Sequence, residues 1–267
     1  VSDRIGGGNL VMGVPKEAFR PSPIFLGLVA LFVTAGAMAW TGFGNVAFDV
    51  FLLVVTGWLI SLCLHEYAHA LVAFRSGDID AAHRGYLTLN PLKYSHPLLS
   101  IVLPVIVVVL GGIGLPGGAV WINHGALRSR LRSSLVSLAG PATNLVFAIV
   151  LALPFVFGVT GETHTEFWAG LALLGFLQLT AAVLNLIPVP GLDGGNIARP
   201  WLPFSWKRTW DVIAPFGFIM LFALLWNPTI GRVFFDVVFT LGDLIGMPSY
   251  LYGEGFALLR FWNYQAN

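Results

Sequence analysis

The chain has 267 residues, of which 57% are hydrophobic and 10% charged, and its mean hydropathy is +0.81. A soluble globule of this length needs far more polar cover, so the composition excludes one and predicts an integral membrane protein in a lipid bilayer. The net charge of +1 provides no broad basic face, which argues against a nucleic-acid partner.

Residues 1–22 form a Gly-rich, mixed-charge tail without a charged-then-apolar leader, and are expected to stay cytosolic. Long apolar segments follow at 23–40, 46–74, 97–115, 133–159, 167–187, 212–227 and 230–247, against about 20 residues per crossing. Lys and Arg concentrate on the cytoplasmic side. If 97–115 spans, then Arg128, Arg130, Arg132, Arg199, Lys207 and Arg208 all fall outside. If it dips in and returns, as Pro104 and the break at GGIGLPGG permit, only Arg232 does. The expected architecture is therefore all-α and polytopic, with about six transmembrane helices, one re-entrant segment and the N-terminus inside.

Segment 230–247 has two readings, because Asp236 and Asp243 lie seven apart on one helical face. It spans, with Arg232 pairing to Asp236, or it lies in the interface as an amphipathic helix. The predicted organisation is a tail at 1–22, one membrane-embedded domain at 23–247 with its core at 46–195, and a C-terminal tail at 248–267.

Chemistry concentrates in LCLHEYAHAL, residues 62–71. His65 and His69 are four apart, so on a helix they share a face at a spacing that lets two imidazoles bind one metal ion, and Glu66 borders that face. This is the H-E-x-x-H arrangement, in which the glutamate takes a proton from metal-bound water. An unpaired Glu66 at this depth would cost roughly 2.5 to 3.5 kcal/mol; a metal and its water offset that. The alternative is a polar cluster that fastens helices, which more often uses Ser, Thr or Asn. Cys63, the sole cysteine, points to the other side of the helix and reads as packing.

A catalytic zinc site needs a third protein ligand. The candidate is Asp193 in NLIPVPGLDGG, residues 185–195, which also reads as a plain helix-terminal acid. The charge-derived topology favours the ligand, since it ends the segments carrying HEYAH and Asp193 on the same face.

HEYAH within a span, then SLAGPATN (137–144), then NLIPVPGLDGG resembles the site-2 protease family of intramembrane zinc metalloproteases, whose patterns are HExxH, G-P-x-x-N and N-x-x-P-x-x-x-L-D-G. The resemblance covers roughly Val46 to Gly195, and GYLTLNPLKY is similar to the branch without PDZ or CBS domains. It implies His65, His69 and Asp193 as ligands of Zn2+, Glu66 as general base, and Asn185 as a polar group near the reacting carbonyl. It further implies a zinc metalloendopeptidase of the bacterial plasma membrane acting on a single-span membrane protein. The chain departs from the branch at Tyr94 and His96.

Asn185 would donate to a developing oxyanion or bridge broken helix backbone. Gly140 and Ala142 permit close helix approach, and Asn144 would hydrogen-bond across helices near the site. Gly85 to Asn90, GYLTLN, reads either as a short β-hairpin edge that pairs with substrate backbone or as an ordinary turn. His83, His96, His124 and His164 lack ligand spacing and read as solvated. Two other functions compete: a catalytically silent scaffold, which has no need of Glu66, and an ion carrier, which would spread polar residues along a path through the membrane.

Overall fold

Capping residues divide the apolar sequence into helices. In a computed structural model, which describes Leu10–Val11, residues 13–94, Ile106 and residues 120–264, helix α1 (Pro23–Thr41) starts where Ser22 Oγ accepts the Phe25 N–H at 3.2 Å. It stops at Gly42, whose φ of 66° is left-handed. Three residues on, Asn45 Oδ1 accepts the Phe48 N–H at 3.1 Å and opens α2 (Val46–Ser76). At 31 residues, α2 runs about 46 Å, longer than the roughly 30 Å of a hydrocarbon core. A short α3 (Asp80–His83) follows, then α4 (Arg130–Val156), capped by Ser129, and α5 (Thr165–Leu186). The rest comprises α6 (Asp193–Ala198), α7 (Phe204–Ile213), α8 (Gly217–Trp226), α9 (Pro228–Leu244) and α10 (Tyr252–Leu259).

Among the described residues, five helical stretches are long and apolar enough to cross a membrane: Lys16–Thr41, Val46–Ser76, Arg130–Val156, Thr165–Leu186 and Phe204–Trp226. The protein is thus all-α and polytopic. Helix α5 is its axis, with Leu173, Leu174, Leu177, Leu179 and Leu184 fully buried. Gly57 on α2 lets the two helices meet closely, since a Cβ there would fall 2.5 Å from Leu174 Cδ2.

Contacts fix the direction of each helix. Helix α4 runs antiparallel to α2, because Val136 meets His69 while Asn144, further along, meets His65. Asp193, just past the end of α5, also meets His65 and His69, so α5 runs parallel to α2. The bundle therefore has a near end, where α2 stops, α4 starts and Asp193 sits, and a far end. Helix α1 begins at the near end, where the Ser22 N–H donates to the Thr88 carbonyl at 2.7 Å. It finishes at the far end, where Trp40 stacks on His164 at 3.8 Å.

Helices α8 and α9, which cover segments 212–227 and 230–247, together run from the near end to the far end. Gly217 starts α8 at the near end against Pro190, and Gly246, just beyond α9, lies at the far end against Val156. Tyr250 hydroxyl donates to the Thr160 carbonyl there, and the Phe261 ring packs 5.1 Å from Phe48 and Phe51. Among the described residues the chain thus passes from end to end five times, through α1, α2, α4, α5 and the α8–α9 pair. Asn227, at φ −70° and ψ 120°, breaks the helix while its side chain caps α9; hydropathy sees the break but not that the chain continues onward.

The GYLTLN stretch is not a hairpin edge. Tyr86–Thr88 is a 3-10 turn flanked by left-handed Gly85 (φ 77°) and Leu89 (φ 55°), and consecutive Tyr86 and Leu87 are both buried. Positive φ at both ends precludes an extended run. The two-stranded hairpin that does form pairs β1 (Leu10–Val11) with β2 (Val14–Pro15). At the other terminus, α10, within the stretch read as a tail, buries Leu258 and Leu259 completely. The proposed re-entrant segment 97–115 and His96 lie outside the described residues, apart from Ile106.

Candidate metal centre and active site

The helical spacing of HEYAH and the turn after α5 bring three donor atoms together. His65 Nε2 and His69 Nε2 are 3.0 Å apart, and Asp193 Oδ2 lies 3.2 Å from the first and 3.3 Å from the second. Both histidines are buried and Asp193 is nearly so. Asp193 reaches them through a tight turn. Helix α5 ends at Leu186, Gly191 takes φ 91°, and Gly194 and Gly195 lie so close to the Leu186 and Val189 carbonyls that a Cβ on either would approach within 2.3 and 2.0 Å. Larger residues would push this turn away from α2.

The imidazoles are oriented from behind. His69 Nδ1 donates to the Val136 carbonyl at 2.6 Å, and His65 Nδ1 to Asn144 Oδ1 at 2.5 Å. With their protons on Nδ1, both rings turn an Nε2 lone pair toward the Asp193 carboxylate. Three acceptors at this separation repel one another unless a cation lies among them. The triangle is 3.0 to 3.3 Å on edge, close to the roughly 3.3 Å separating donors that sit about 2.05 Å from a tetrahedral zinc ion. Gly140 leaves room for the ion: a Cβ there would fall 2.3 Å from His69 Nε2 and 2.5 Å from His65 Nε2.

Glu66 is buried beside this group, and its Oε2 accepts the Val120 N–H at 3.0 Å. Asn185 is buried in the last turn of α5, and its side chain makes no hydrogen bond among the described residues. Asn144 lies against His65, as its motif suggests, and its Nδ2 donates to Gln178 Oε1 at 2.7 Å and to Ser61 Oγ at 3.1 Å. Sequence reasoning passed over Ser61 and Gln178. The available signal was a hydroxyl and an amide, without a charged neighbour, inside otherwise apolar spans. Cys63 is fully buried against Phe25, Ile60 and Leu89 as packing, while His83 and His164 are exposed. Tyr94 is buried, and its hydroxyl donates to the Cys63 carbonyl at 3.3 Å.

Comparison with known proteins agrees with this chemistry. The chain is 47% identical over 252 residues to "Putative zinc metalloprotease Rip2" of Mycolicibacterium smegmatis, covering 93% of this chain and 96% of that protein. The protein of the same name from Mycobacterium tuberculosis is also 47% identical, over 254 residues and with the same coverage. The chain belongs to the site-2 protease family. "Putative zinc metalloprotease YwhC" of Bacillus subtilis is 32% identical over 184 residues, 66% of this protease and 80% of that one. No protein-family model and no solved structure matches the protease. It is a zinc metalloprotease with membrane-length helices, and His65, His69 and Asp193 form a group suited to hold the metal.

Proposed function

We propose that this protease hydrolyses a peptide bond in or near the transmembrane segment of a single-span membrane protein, with its site toward the cytoplasmic face. The supporting observation is the depth of the donor group within a bundle of membrane-length helices. His65 is the twentieth residue of α2, about 29 Å along the axis, so a helix entering from the far face brings it close to the opposite boundary of a roughly 30 Å core. Basic residues favour the near end as cytoplasmic: Lys16, Arg20, Arg75, Arg84, Lys93, Arg128, Arg130, Arg132, Arg199, Lys207 and Arg208 belong to it, whereas Arg260 follows α10 at the far end.

In this reading His65, His69 and Asp193 hold the zinc. When bound, zinc supplies Lewis acidity that makes a water nucleophilic at neutral pH and polarises the scissile carbonyl. Glu66 accepts the water proton and returns it to the leaving amine, with the Val120 N–H holding its carboxylate in place. Asn185, whose carboxamide makes no hydrogen bond among the described residues, donates to the oxyanion. The substrate helix must be unwound locally, since its peptide bonds are otherwise closed in its own hydrogen bonds.

Cleavage of a single-span test substrate in proteoliposomes tests the assignment. Glu66→Gln should abolish product while retaining zinc; equal cleavage by wild type and variant would eliminate Glu66 as the base. In the same assay Asn185→Ala should lower kcat by about 100-fold or more with zinc retained. An unchanged kcat would leave Asn185 a purely structural role.

A further inference from the structure

His65 and His69 are oriented by different means. A backbone carbonyl, Val136, faces His69 Nδ1 and can only accept, so the proton on that ring is fixed by the fold. His65 Nδ1 instead faces the carboxamide of Asn144, which presents either an oxygen or an NH2 group depending on how it is turned. Only the oxygen leaves the His65 proton on Nδ1 and its lone pair toward Asp193 and His69. With the amide reversed, Nδ2 would face the ring and the proton would move to Nε2, pointing an N–H into the space between the donors.

We infer that Gln178 and Ser61 are positioning residues for metal binding, locking Asn144 so that His65 presents a lone pair to the ion. This rests on the zinc-site reading above. Gln178 Oε1 accepts both from Asn144 Nδ2, at 2.7 Å, and from the Ser61 hydroxyl. Having given its proton to Gln178, Ser61 Oγ has lone pairs left for Asn144 Nδ2 at 3.1 Å. Both partners of Nδ2 thus act as acceptors, and a reversed Asn144 would set its oxygen against the Gln178 oxygen. The chain of donors runs His65 to Asn144 to Gln178, and it ends there.

The end of the chain shows its purpose. Gln178 is 0% exposed and its Nε2 donor has no partner among the described residues. A buried unpaired donor destabilises the fold, so an apolar residue of the same shape would suit packing better than Gln178 does. What the amide supplies is its oxygen, aimed at Asn144.

The experiment compares wild type, Gln178→Met, Gln178→Glu and Ser61→Ala as full chains in detergent. Zinc dissociation constants are measured by competition with a chromogenic chelator, thermal unfolding is recorded alongside, and the cobalt-loaded forms are compared by visible absorption. Gln178→Met keeps the shape and loses the acceptor. It should weaken zinc binding about tenfold or more with no fall in the melting temperature of the zinc-free form, and alter the cobalt spectrum. Gln178→Glu keeps the acceptor and should hold zinc at least as tightly as wild type. Ser61→Ala should weaken binding in the same direction and provides a second measure should Gln178→Met not fold. Wild-type affinity and spectrum in Gln178→Met, or in Ser61→Ala if that variant alone folds, would overturn the inference. A lowered melting temperature with unchanged affinity would do the same. A wild-type chain that takes up no zinc would instead remove the zinc-site reading, and this inference with it.

Discussion

At the scale of single residues, the most demanding position is Gly140. A Cβ there would stand 2.3 to 2.6 Å from His69 Nε2, His65 Nε2 and His65 Cε1, close to the distance at which zinc itself would bind those nitrogens. Gly140→Ala should therefore yield a folded helical protein that no longer retains zinc, seen as a fall in metal content on elemental analysis without loss of circular dichroism. Stoichiometric zinc in the alanine variant would mean that the ion lies elsewhere. The histidines were legible in the sequence because i, i+4 spacing is a local property of a helix. Gly140's importance was legible only in part: its motif suggested close helix approach, but the atoms it approaches belong to another helix about seventy residues earlier. Asp193 was legible as a candidate because it ends an apolar segment in a Gly/Pro turn, and its choice over a plain terminal acid required topology. Ser61 and Gln178 left no local pattern, since their meaning comes from one bond network across three helices.

Among the elements, the short α6 carries Asp193, the proposed third ligand, without the length to be stable alone. It is stapled to α4: Trp201 Nε1 donates to Ser134 Oγ at 2.9 Å, and Ser134 Oγ donates to the Ile197 carbonyl at 2.8 Å. The Arg199–Asp211 ion pair is exposed and adds little. Ser134→Ala removes both bonds and leaves a donor and an acceptor short of partners, a cost of about 1–3 kcal/mol. Stopped-flow transfer of zinc to a chelator should show faster release from this variant, with the difference confined to the metal if the global melting temperature hardly moves. Release at the wild-type rate would show that the glycine turn alone holds Asp193. The apolar segments read at 23–40 and 46–74 begin where α1 and α2 begin. Of the two readings of GYLTLN the turn holds and the hairpin edge does not, because Gly85 and Leu89 both turn left-handed and the consecutive Tyr86 and Leu87 are both buried.

On the scale of the whole molecule, the class was set by composition, and the parallel course of α2 and α5 followed from charge bias and the need for a third ligand. How the last two apolar segments join did not follow, because hydropathy windows cannot distinguish a helix that turns back from one that breaks and goes on. With Asn227 as a break, the last apolar stretches take the chain from Gly217 beside Pro190 to Gly246 beside Val156, a single passage. The packing of Phe261 against Phe48 and Phe51 then anchors the C-terminal segment where α2 begins. Five passages among the described residues put Val14 and Tyr264 at opposite ends of the bundle, whereas six would put them together. If the near end is cytoplasmic, a periplasmic-type phosphatase fused after Tyr264 should be active and a fluorescent protein fused there should stay dark. The same reporters inserted between Arg75 and Asp80 should give the reverse. Matching signals at both positions would restore the sixth passage, and would require α9 to return toward the metal site rather than leave it.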